Sequence, residues 1–459
     1  MKAKVDAEIR VIDPTYKLWQ WAQKKLVVNN PQYEKLQALG KSTYKTQKKL
    51  YLYRKVGTDI YLPFGCLRDI FAMKADFEWI ENCIHPLQKL DFHSHIRLYD
   101  YQEDAVTAAL KSKNGVLVAP CGSGKTQMAL ELAARIGGRT LWLTHTHDLL
   151  KQSRERAAAN FDLPPSAYGE ISGGKVNIGD VITFATVQTM AGLDLAKYQD
   201  CFDCIICDEC HHCAGTPAKI TMFYKVLSSL SARYKYGITA TPDRADGLSC
   251  CMFAILGDVC ARVSPEAVAD KTVPVKVVWT STNYSPKLIE VCDGDGTLSY
   301  TRLVNAVCAD VDRNAILLKK IIEAGKSTLV LSDRVAHCET LCKAAQKEGL
   351  RCVYISAAGT KTTKAEREKA IADLDSGRID VAFATYQLAK EGLDCPHLLH
   401  LVLATPQKEK NTVTQAVGRV TRSAEGKSFG TVYDFSDDFG YFYGAERKRK
   451  AIYKKLGSV

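Results

Sequence analysis

The chain has 459 residues, of which 46% are hydrophobic and 25% are charged. This composition is typical of a globular protein, and the length predicts roughly two to four domains rather than a disordered or fibrous chain. No window approaches the run of about 18 apolar residues that spans a membrane, and the first residues lack the apolar core of a signal peptide. We therefore expect a cytoplasmic protein with no membrane partner.

The charge and the cysteine content indicate the kind of partner and the redox compartment. Lys and Arg number 62 against 51 Asp and Glu, a net charge of +11, which suits a polyanionic partner. The 17 cysteines are odd in number and spread along a long chain. A disulfide framework is therefore not expected, and a reducing compartment is favoured.

Residues 1–93 differ from the rest of the chain in their residue pattern. They hold 16 Lys and Arg against 10 Asp and Glu, and segment 41–55 has six basic residues, no acidic residue and three interleaved tyrosines. Cations that match phosphates and rings that stack on bases indicate a nucleic-acid-binding accessory domain. The alternative is the solvated face of a small sheet whose tyrosines pack inward.

From about residue 115 the pattern becomes α/β. Short apolar runs alternate with longer amphipathic stretches, which is typical of parallel strands buried on both faces and linked by helices. One such series ends near residue 264, and an irregular stretch with Pro265 and Pro274 follows. We predict a first lobe over 94–264, a linker over 265–275, a second lobe over 276–436 and a basic C-terminal helix over 437–459.

A glycine-rich segment in the first lobe has the context of a phosphate-binding loop. It follows a predicted strand and precedes a helix, so backbone N–H groups and the helix N-terminus can hold an anion. Lys125 would reach the terminal phosphates of a nucleotide, and the Thr126 hydroxyl would bind Mg²⁺. The predicted nucleotide-contacting residues of this loop are Pro120, Cys121, Gly122, Ser123, Gly124, Lys125 and Thr126.

Two carboxylates follow the buried run Cys204–Cys207. A carboxylate at the C-terminal end of a parallel strand faces the ligand crevice of such a sheet. We predict that Asp208 holds the Mg²⁺ and that Glu209 orients and deprotonates the attacking water. Taken alone, an Asp-Glu pair after a strand is a common cap, but the upstream loop favours the catalytic interpretation.

With these two motifs, the chain resembles the superfamily 2 helicases of the DEAD/DEAH type, in the phage UvsW, RadD and XPB-like branch. The tetrapeptide Asp208-Glu-Cys-His211 resembles their motif II, and other motifs follow in order over roughly 97–435. The segments similar to the Q motif and to motifs Ia, Ib, III, IV, V and VI are residues 98–102, 144–150, 185–189, 237–247, 329–334, 384–396 and 415–422.

The resemblance implies two RecA-like lobes with ATP in the cleft between them. Gln415, Arg419 and Arg422 of motif VI would act on the γ-phosphate, and Gly392 and Asp394 would close the second-lobe side. His211, Thr239 and Thr241 would couple the nucleotide to the nucleic acid. Gln102 would contact adenine, although Tyr99 stands where related families have Arg. The implied nucleic-acid contacts are Thr186, Gln188, Arg244, Ser332, Arg334 and Thr385.

A run of cysteines at every third residue, from Cys201 to Cys213, has the look of a metal site. However, Cys204 and Cys207 lie on one strand, where an odd spacing sends their side chains to opposite faces. Small buried thiols that fill the core explain the run better. A surface position is sufficient to explain His212, which follows motif II.

The expected protein is therefore a monomeric, ATP- and Mg²⁺-dependent DNA helicase or translocase. Its DNA substrate would be branched, forked or single-stranded, in repair, recombination or replication, with phage replication or recombination proteins as candidate partners. One alternative is a motor that acts on RNA or on RNA–DNA hybrids. Others are the motor subunit of a restriction or defence complex, and a clamp that binds ATP without turnover.

Overall fold

The computed structural model describes residues 1–120, 122–244, 246–294, 296–355, 363–390 and 395–456. The chain divides into two compact units, Met1–Ser264 and Pro265–Val459. Among the helices of the described residues, none combines the length and the apolar character needed to cross a membrane. Each unit is described separately below.

The first unit begins with a small mixed sheet, here called the N-terminal module. Its sheet has the strand order β5-β6-β2-β1-β7, and a separate hairpin pairs β3 with β4. Helix α1 covers the sheet with Leu18, Ala22 and Leu26, because residues four apart share one face of a helix. The elements are β1 Lys2–Val5, β2 Glu8–Ile12, α1 Tyr16–Leu26, β3 Val27–Asn29, α2 Pro31–Ala38, β4 Lys49–Tyr51, β5 Arg54–Val56, β6 Asp59–Pro63, α3 Leu67–Ala72 and β7 Trp79–Asn82.

An eight-stranded sheet forms the rest of the first unit. Its order is β11-β10-β12-β9-β13-β14-β8-β15, and every pairing is parallel except that of β10 with β11. The elements are α4 Asp100–Ser112, β8 Asn114–Val118, α5 Lys125–Ile136, β9 Thr140–Thr144, α6 His147–Asn160, β10 Tyr168–Ser172, β11 Lys175–Asn177, β12 Ile182–Thr186, α7 Val187–Gly192, β13 Cys204–Asp208, α8 Met222–Ser229, β14 Tyr234–Thr239, α9 Ser249–Leu256 and β15 Val259–Arg262.

The N-terminal module packs directly on this larger sheet. Cys251 and Ala254 of α9 belong to the module's own hydrophobic core. The buried Lys235, at the start of β14, donates hydrogen bonds to the carbonyl oxygens of Ala7 at 3.1 Å and Leu227 at 2.8 Å. The module therefore belongs to the same compact unit as the first lobe.

The second unit contains a six-stranded, fully parallel sheet of order β16-β21-β20-β17-β19-β18. Its first strand begins at Val275, the last residue of the predicted linker. The elements are β16 Val275–Ser281, α10 Leu288–Val291, α11 Tyr300–Ala309, α12 Val311–Ala324, β17 Thr328–Ser332, α13 Val335–Lys347, β18 Cys352–Ile355, α14 Lys364–Asp375, β19 Val381–Thr385, α15 Tyr386–Lys390, β20 His400–Leu403, α16 Lys410–Val420, β21 Gly430–Ser436 and α17 Gly440–Lys455.

Helix α17 is held against the second sheet by a buried polar group. The Arg449 guanidinium lies 2.7 Å from Asp434, which also accepts a hydrogen bond of 2.6 Å from the Tyr453 hydroxyl. Ile452 is buried with Tyr453 in a hydrophobic core of the second unit. The helix predicted at the C-terminus is thus partly a packed element, and at least one of its basic residues is used internally. The α/β class, with parallel sheets in two lobes, is confirmed.

Candidate nucleotide site

The phosphate-binding loop runs from the end of β8 into α5. Gly122 and Gly124 have φ values of +82° and +77°, a left-handed conformation that favours glycine. A Cβ on Gly124 would lie 2.4 Å from the Gln102 side-chain nitrogen, so a larger residue would have to displace the Gln102 amide. The Lys125 amine donates to the Pro120 carbonyl oxygen at 3.3 Å. The conformation of these two glycines is compatible with an anion-binding loop, and the nucleotide contacts of the loop stay a prediction.

Gln102 supports this loop from α4. Its side-chain nitrogen donates to the Ser123 carbonyl oxygen at 2.8 Å, and its side-chain oxygen accepts from the Tyr99 backbone N–H at 2.9 Å. Gln102 is buried, at 1% exposure. In this structure its amide joins the start of α4 to the phosphate-binding loop, and its contact with adenine stays a prediction.

The two carboxylates of motif II lie at the C-terminal end of β13. Strand β14 pairs with both β13 and β8, so the end of β14 lies between these carboxylates and the loop. The Ala119 N–H donates to the Thr239 carbonyl oxygen at 3.0 Å across that junction. Glu209 adopts φ 48° and ψ 50°, a left-handed conformation that costs a non-glycine residue about 1–3 kcal/mol. Such strain commonly marks functional sites.

Burial and neighbouring charges shift the pKa values of the two carboxyl groups in opposite directions. Burial raises the pKa of Asp208, and the adjacent Glu209 charge raises it further, while Lys125 opposes the shift. Burial also acts to raise the pKa of Glu209, but the hydrogen bond with His211 and the Lys125 charge outweigh it. The pKa of Glu209 therefore lies below its usual range. Glu209 is ionised at neutral pH, as a base that activates water must be.

His211 connects Glu209 to the end of β14. Its Nδ1 lies 3.2 Å from a carboxylate oxygen of Glu209 and 3.0 Å from the Thr239 hydroxyl. The Thr239 hydroxyl in turn accepts a hydrogen bond from the Thr241 N–H at 3.2 Å. The structure thus places the three residues that were predicted to couple the nucleotide and nucleic-acid sites in one continuous set of contacts.

Motif Ib approaches this set through a cluster of three histidines whose rings are tilted by 38° to one another in both neighbouring pairs. The Gln188 side-chain nitrogen donates to the His145 carbonyl oxygen at 2.8 Å. The ring of the exposed His212 lies 4.0 Å from that of His145 and 4.3 Å from that of His211, measured between centroids. His212 therefore does more than occupy the surface, because it links motif Ia to motif II.

Three predicted nucleic-acid contacts of the first unit differ in accessibility. Gln188 is exposed, whereas Thr186 is 8% exposed and its hydroxyl donates to the Thr189 hydroxyl at 3.0 Å. Arg244 forms an ion pair with Asp246 at 2.7 Å and also donates to the His211 carbonyl oxygen. Arg244 thus braces motif II in this structure, and its predicted contact with nucleic acid would require a change of partners.

The second unit places its predicted residues at strand ends and on α16. Ser332 and Thr385 end the neighbouring parallel strands β17 and β19 and lie side by side in register. Ser332 is fully buried, and its hydroxyl pairs with His337 at 2.9 Å. Arg334 immediately precedes α13 and donates to the Asn305 side-chain oxygen at 2.8 Å. Ser332 therefore supports the strand end in this structure rather than facing solvent.

Motif VI lies on and just after α16. Gln415 is 9% exposed, and Arg419 is half-buried on the same helix. Arg422 follows the helix and forms an isolated β-bridge with Thr272. Among the predicted site residues, Cys121, Gly392 and Asp394 lie outside the described residues.

Four of the five cysteines in the run are buried, as the sequence predicts, and Cys201 is partly exposed. Cys204, Cys207, Cys210 and Cys213 are all fully buried, and the last three belong to one hydrophobic core while Cys204 does not. The thiols of this run are not joined in disulfide bonds. No group of three or more His, Cys, Asp and Glu side chains with metal-binding geometry occurs among the described residues.

Sequence reasoning missed Arg156, which the structure brings into the nucleotide site from α6. Its guanidinium donates to the Thr126 hydroxyl at 3.0 Å. No motif marks this arginine, since it lies ten residues into a helix whose pattern predicts only an amphipathic element. Its role depends on the packing of α6 beside α5, which spacing along the chain does not reveal.

Two family models match the chain. The model described as "Type III restriction enzyme, res subunit" matches residues 95–244, and the "Helicase conserved C-terminal domain" matches residues 313–424. The first covers the phosphate-binding loop and motifs II and III, and the second covers motifs IV to VI. The chain belongs to the superfamily 2 helicases.

Individual relatives agree with that assignment. This helicase is 34% identical to the DNA 3'-5' translocase XPB2 of Sulfurisphaera tokodaii over 211 residues. The matched region is 45% of this chain and 45% of the relative. It is 25% identical to the mimivirus protein named "Putative ATP-dependent RNA helicase L396", over 83% of this chain and 72% of the relative. Saccharomyces cerevisiae Dbp5 bound to RNA and ADP-BeF3 shares the fold, with a TM-score of 0.53 and 16% identity over 87% and 92% of the two chains.

The residues of the first unit suit a magnesium-bound nucleoside triphosphate. Within the described part of the chain, the hydroxyls of Ser123 and Thr241 are buried without a hydrogen-bond partner. Buried hydroxyls normally have partners, so these two are available to a ligand. Lys125 and the loop N–H groups suit phosphate oxygens, and the hard oxygens of Thr126 and Asp208 suit Mg²⁺.

Proposed function

We propose that this helicase couples ATP hydrolysis to movement along DNA, and that branched or forked DNA in repair, recombination or replication is its substrate. The relatives named DNA translocases and DNA helicases support DNA as the partner. The net charge of +11 supports a polyanion in general. DNA-dependent movement and the nature of the junction are the parts that require experiment.

The observation that carries this proposal is the convergence of two motifs on one sheet edge. Lys125 and Thr126 follow β8, and Asp208 and Glu209 end and follow β13, with Thr239 at the end of β14 between them. Magnesium-bound ATP would supply the electrophilic phosphorus and a bound leaving group. Lys125 would hold phosphate oxygens, and the ionised Glu209 would orient a water and accept its proton.

Coupling to nucleic acid would use the contacts around His211. A strand bound at Gln188 would displace or tighten its hydrogen bond to His145, and the contacting rings of His145 and His212 would pass that change to His211. His211 touches the Glu209 carboxylate. Nucleic acid could thereby change the position of the base that activates water. We further propose that Arg419 and Arg422 supply cations that stabilise the charge of the transferring phosphoryl group.

The test is ATP hydrolysis measured with and without forked DNA. Wild-type protein should hydrolyse ATP faster when DNA is added. Lys125→Ala and Glu209→Gln should each remove that stimulated turnover, and circular dichroism should show the fold intact. The matched control is Lys89→Ala, which removes a lysine of the same unit outside the site. Stimulated turnover that survives in Glu209→Gln would refute the catalytic site.

A second candidate, a motor directed to RNA or RNA–DNA hybrids, is favoured by one observation. The mimivirus relative, which aligns with 83% of this chain, carries the name of an RNA helicase. The same ATPase assay distinguishes the two candidates when DNA, RNA and hybrid forks of one sequence are compared. A larger stimulation by RNA than by DNA would replace the first proposal with the second.

A further inference from the structure

Two tyrosines and a lysine of the second unit, Tyr300, Lys408 and Tyr441, form a group here called the tyrosine–lysine cluster. The Lys408 amine lies 5.5 Å from the centre of the Tyr300 ring and 4.8 Å from that of the Tyr441 ring. It also donates a hydrogen bond to the Tyr441 hydroxyl oxygen. The ring centres are 6.1 Å apart, with their planes inclined by 48°. Both distances from the amine are within the range of a cation–π contact, so the three side chains act as one group.

The cluster presents ring surface and a positive charge to solvent. Tyr300 is 40% exposed, Lys408 is exposed and Tyr441 is half-buried. Within the described residues Lys408 forms no ion pair with a carboxylate, whereas the exposed Lys450 pairs with Glu446. Tyr441 also packs against a small hydrophobic core of the second unit, but Tyr300 does not. Packing therefore accounts for Tyr441 and leaves the exposed ring of Tyr300 and the charge of Lys408 without a structural role.

The chain topology places the cluster at the carboxyl edge of the second sheet. Strands β17, β20 and β21 are parallel neighbours. Lys408 follows the end of β20, Tyr441 follows the end of β21, and Arg334 follows the end of β17. Arg334, a predicted nucleic-acid contact, donates to Asn305 on α11, the helix that begins with Tyr300. The cluster thus shares its sheet edge, and one of its helices, with a residue expected to contact nucleic acid.

The backbone that carries Lys408 is held by hydrogen bonds on both sides. The Asp333 backbone N–H donates to the Thr405 hydroxyl at 2.9 Å, which ties this segment to the end of β17. The Gln407 side-chain oxygen accepts the backbone N–H groups of Lys408 and Glu409 at 2.9 and 3.0 Å. Helix α16 then begins two residues after Lys408. Because the fold fixes this backbone, little of it would need to be ordered on binding a ligand.

Exposed ring surface beside an unpaired cation suits a single-stranded polynucleotide. Bases stack on aromatic side chains whatever their identity, because every base has a flat face. Inside a duplex both faces of a base are covered by its neighbours, so a surface ring selects unpaired bases. A lysine next to that ring can meet the phosphate that adjoins the stacked base. The two features together favour a single strand over a duplex.

We propose that the tyrosine–lysine cluster binds single-stranded DNA, with one unpaired base stacked on Tyr300 and the adjoining phosphate held by Lys408. Tyr441 positions the lysine through its ring and its hydroxyl. This inference rests on the proposed function, because it assumes that the second unit contacts DNA. The contact is independent of sequence, as a motor that moves along DNA requires. It also places the bound strand at the start of α16, the helix that carries Arg419 of motif VI.

The test is equilibrium binding of the full chain to fluorescein-labelled oligo-dT, followed by fluorescence anisotropy. Tyr300→Ala should weaken binding by about 5-fold to 150-fold, the range for the loss of one stacked base. Tyr300→Phe keeps the ring and should keep the wild-type affinity. The matched control is Tyr443→Ala, which removes an exposed tyrosine of α17 whose hydroxyl donates to Asp438 outside the cluster. This control should also bind as wild type does.

Two further measurements separate stacking from charge. On a strand of the same length in which every residue is abasic, wild type and Tyr300→Ala should bind with equal affinity, because no base is present to stack. Lys408→Gln removes one phosphate contact, so the slope of log affinity against log salt should become shallower by about 0.7 on oligo-dT. Tyr300 is exposed, so the melting temperature of Tyr300→Ala should stay near that of wild type.

The outcomes distinguish this inference from the proposed function. If wild-type protein binds neither oligo-dT nor forked DNA, the proposed function itself fails. If wild type binds oligo-dT and Tyr300→Ala binds it equally well, the stacking site is refuted while the proposed function stands. Equal weakening of Tyr300→Ala on intact and abasic strands would also overturn the proposal, since no base would then be involved. An unchanged salt slope in Lys408→Gln would refute the phosphate contact.

Discussion

Lys235 provides a quantitative test of how the N-terminal module is attached to the first lobe. Its side chain is fully buried, and its amine lies between the carbonyl oxygens of Ala7 and Leu227, 4.4 Å from the centre of the Phe64 ring. Burial lowers the pKa of this amine to about 7, although the charges of Asp6 and Glu8 oppose the shift. In the unfolded chain the pKa would be near its ordinary value of about 10.4.

The sign of the pH effect follows from these two values. Between about pH 7 and pH 10.4, the unfolded chain holds a proton on Lys235 that the folded chain does not. The free energy of unfolding therefore rises with pH in that window, by about 1.4 kcal/mol per pH unit where the difference approaches one proton. Below about pH 7 both states are protonated, so the full penalty of burying the charge is present and the slope disappears.

The variant Lys235→Met removes this proton while keeping a long apolar side chain. We expect the wild-type free energy of unfolding, relative to that of the variant, to rise by about 1–1.4 kcal/mol per pH unit between about pH 7.5 and 9. Buried thiols act in the opposite direction, since burial raises the pKa of Cys204 and of Cys210, but these thiols are present in both proteins and their effects cancel.

Urea unfolding followed by tryptophan fluorescence reports mainly on the first unit, which holds four of the five tryptophans. The control is Lys17→Met, which removes an exposed lysine paired with Asp76 in the same module. The slope of its free energy of unfolding against pH should match that of wild type. Equal slopes for wild type and Lys235→Met would refute the inference that an uncharged amine joins the module to β14.

Three further predictions concern other parts of the chain. Neutralising the four lysines of segment 41–55 that precede residue 50 should weaken DNA binding and reduce its salt dependence, and an unchanged slope of log affinity against log salt would count against the basic segment. These lysines are Lys41, Lys45, Lys48 and Lys49. Arg313→Ala should destabilise the second unit by about 3–5 kcal/mol, because it leaves the buried Asp437 carboxylate, now 2.7 Å away, without its charged partner; urea unfolding measures this, and a loss under about 1 kcal/mol would contradict it. His212→Ala should lower DNA-stimulated ATP hydrolysis more than the basal rate, since it removes the ring that contacts both His145 and His211, and an equal loss in both rates would indicate a general defect instead.

The sequence predicted the α/β class and its parallel sheets because their signals are local. Buried parallel strands are short continuous apolar runs, and a strand such as Ile182–Thr186 is recognisable within a few residues of its observed bounds. The phosphate-binding loop depends on Gly122 and Gly124, whose backbone conformation only glycine adopts easily. The carboxylates of motif II stand at the end of a predicted strand, so their position in the sheet could also be predicted.

The N-terminal module could not be predicted in the same way. Its strands are three to five residues long, and half-exposed strands such as Arg54–Val56 leave little periodic pattern. Its attachment depends on residues far apart in the sequence, such as Ala7 with Lys235. The roles of Arg156 and His145 were missed for the same reason, because they arise from packing between elements rather than from spacing within one.

The account depends most on the claim that splitting ATP at the first-unit site drives motion along nucleic acid. The direct measurement is strand separation of a labelled forked DNA, by wild-type protein and by Glu209→Gln at matched DNA binding. We predict separation by wild type with ATP, and none with a non-hydrolysable analogue or with the variant. Equal separation by Glu209→Gln, or by wild type without ATP, would contradict the claim.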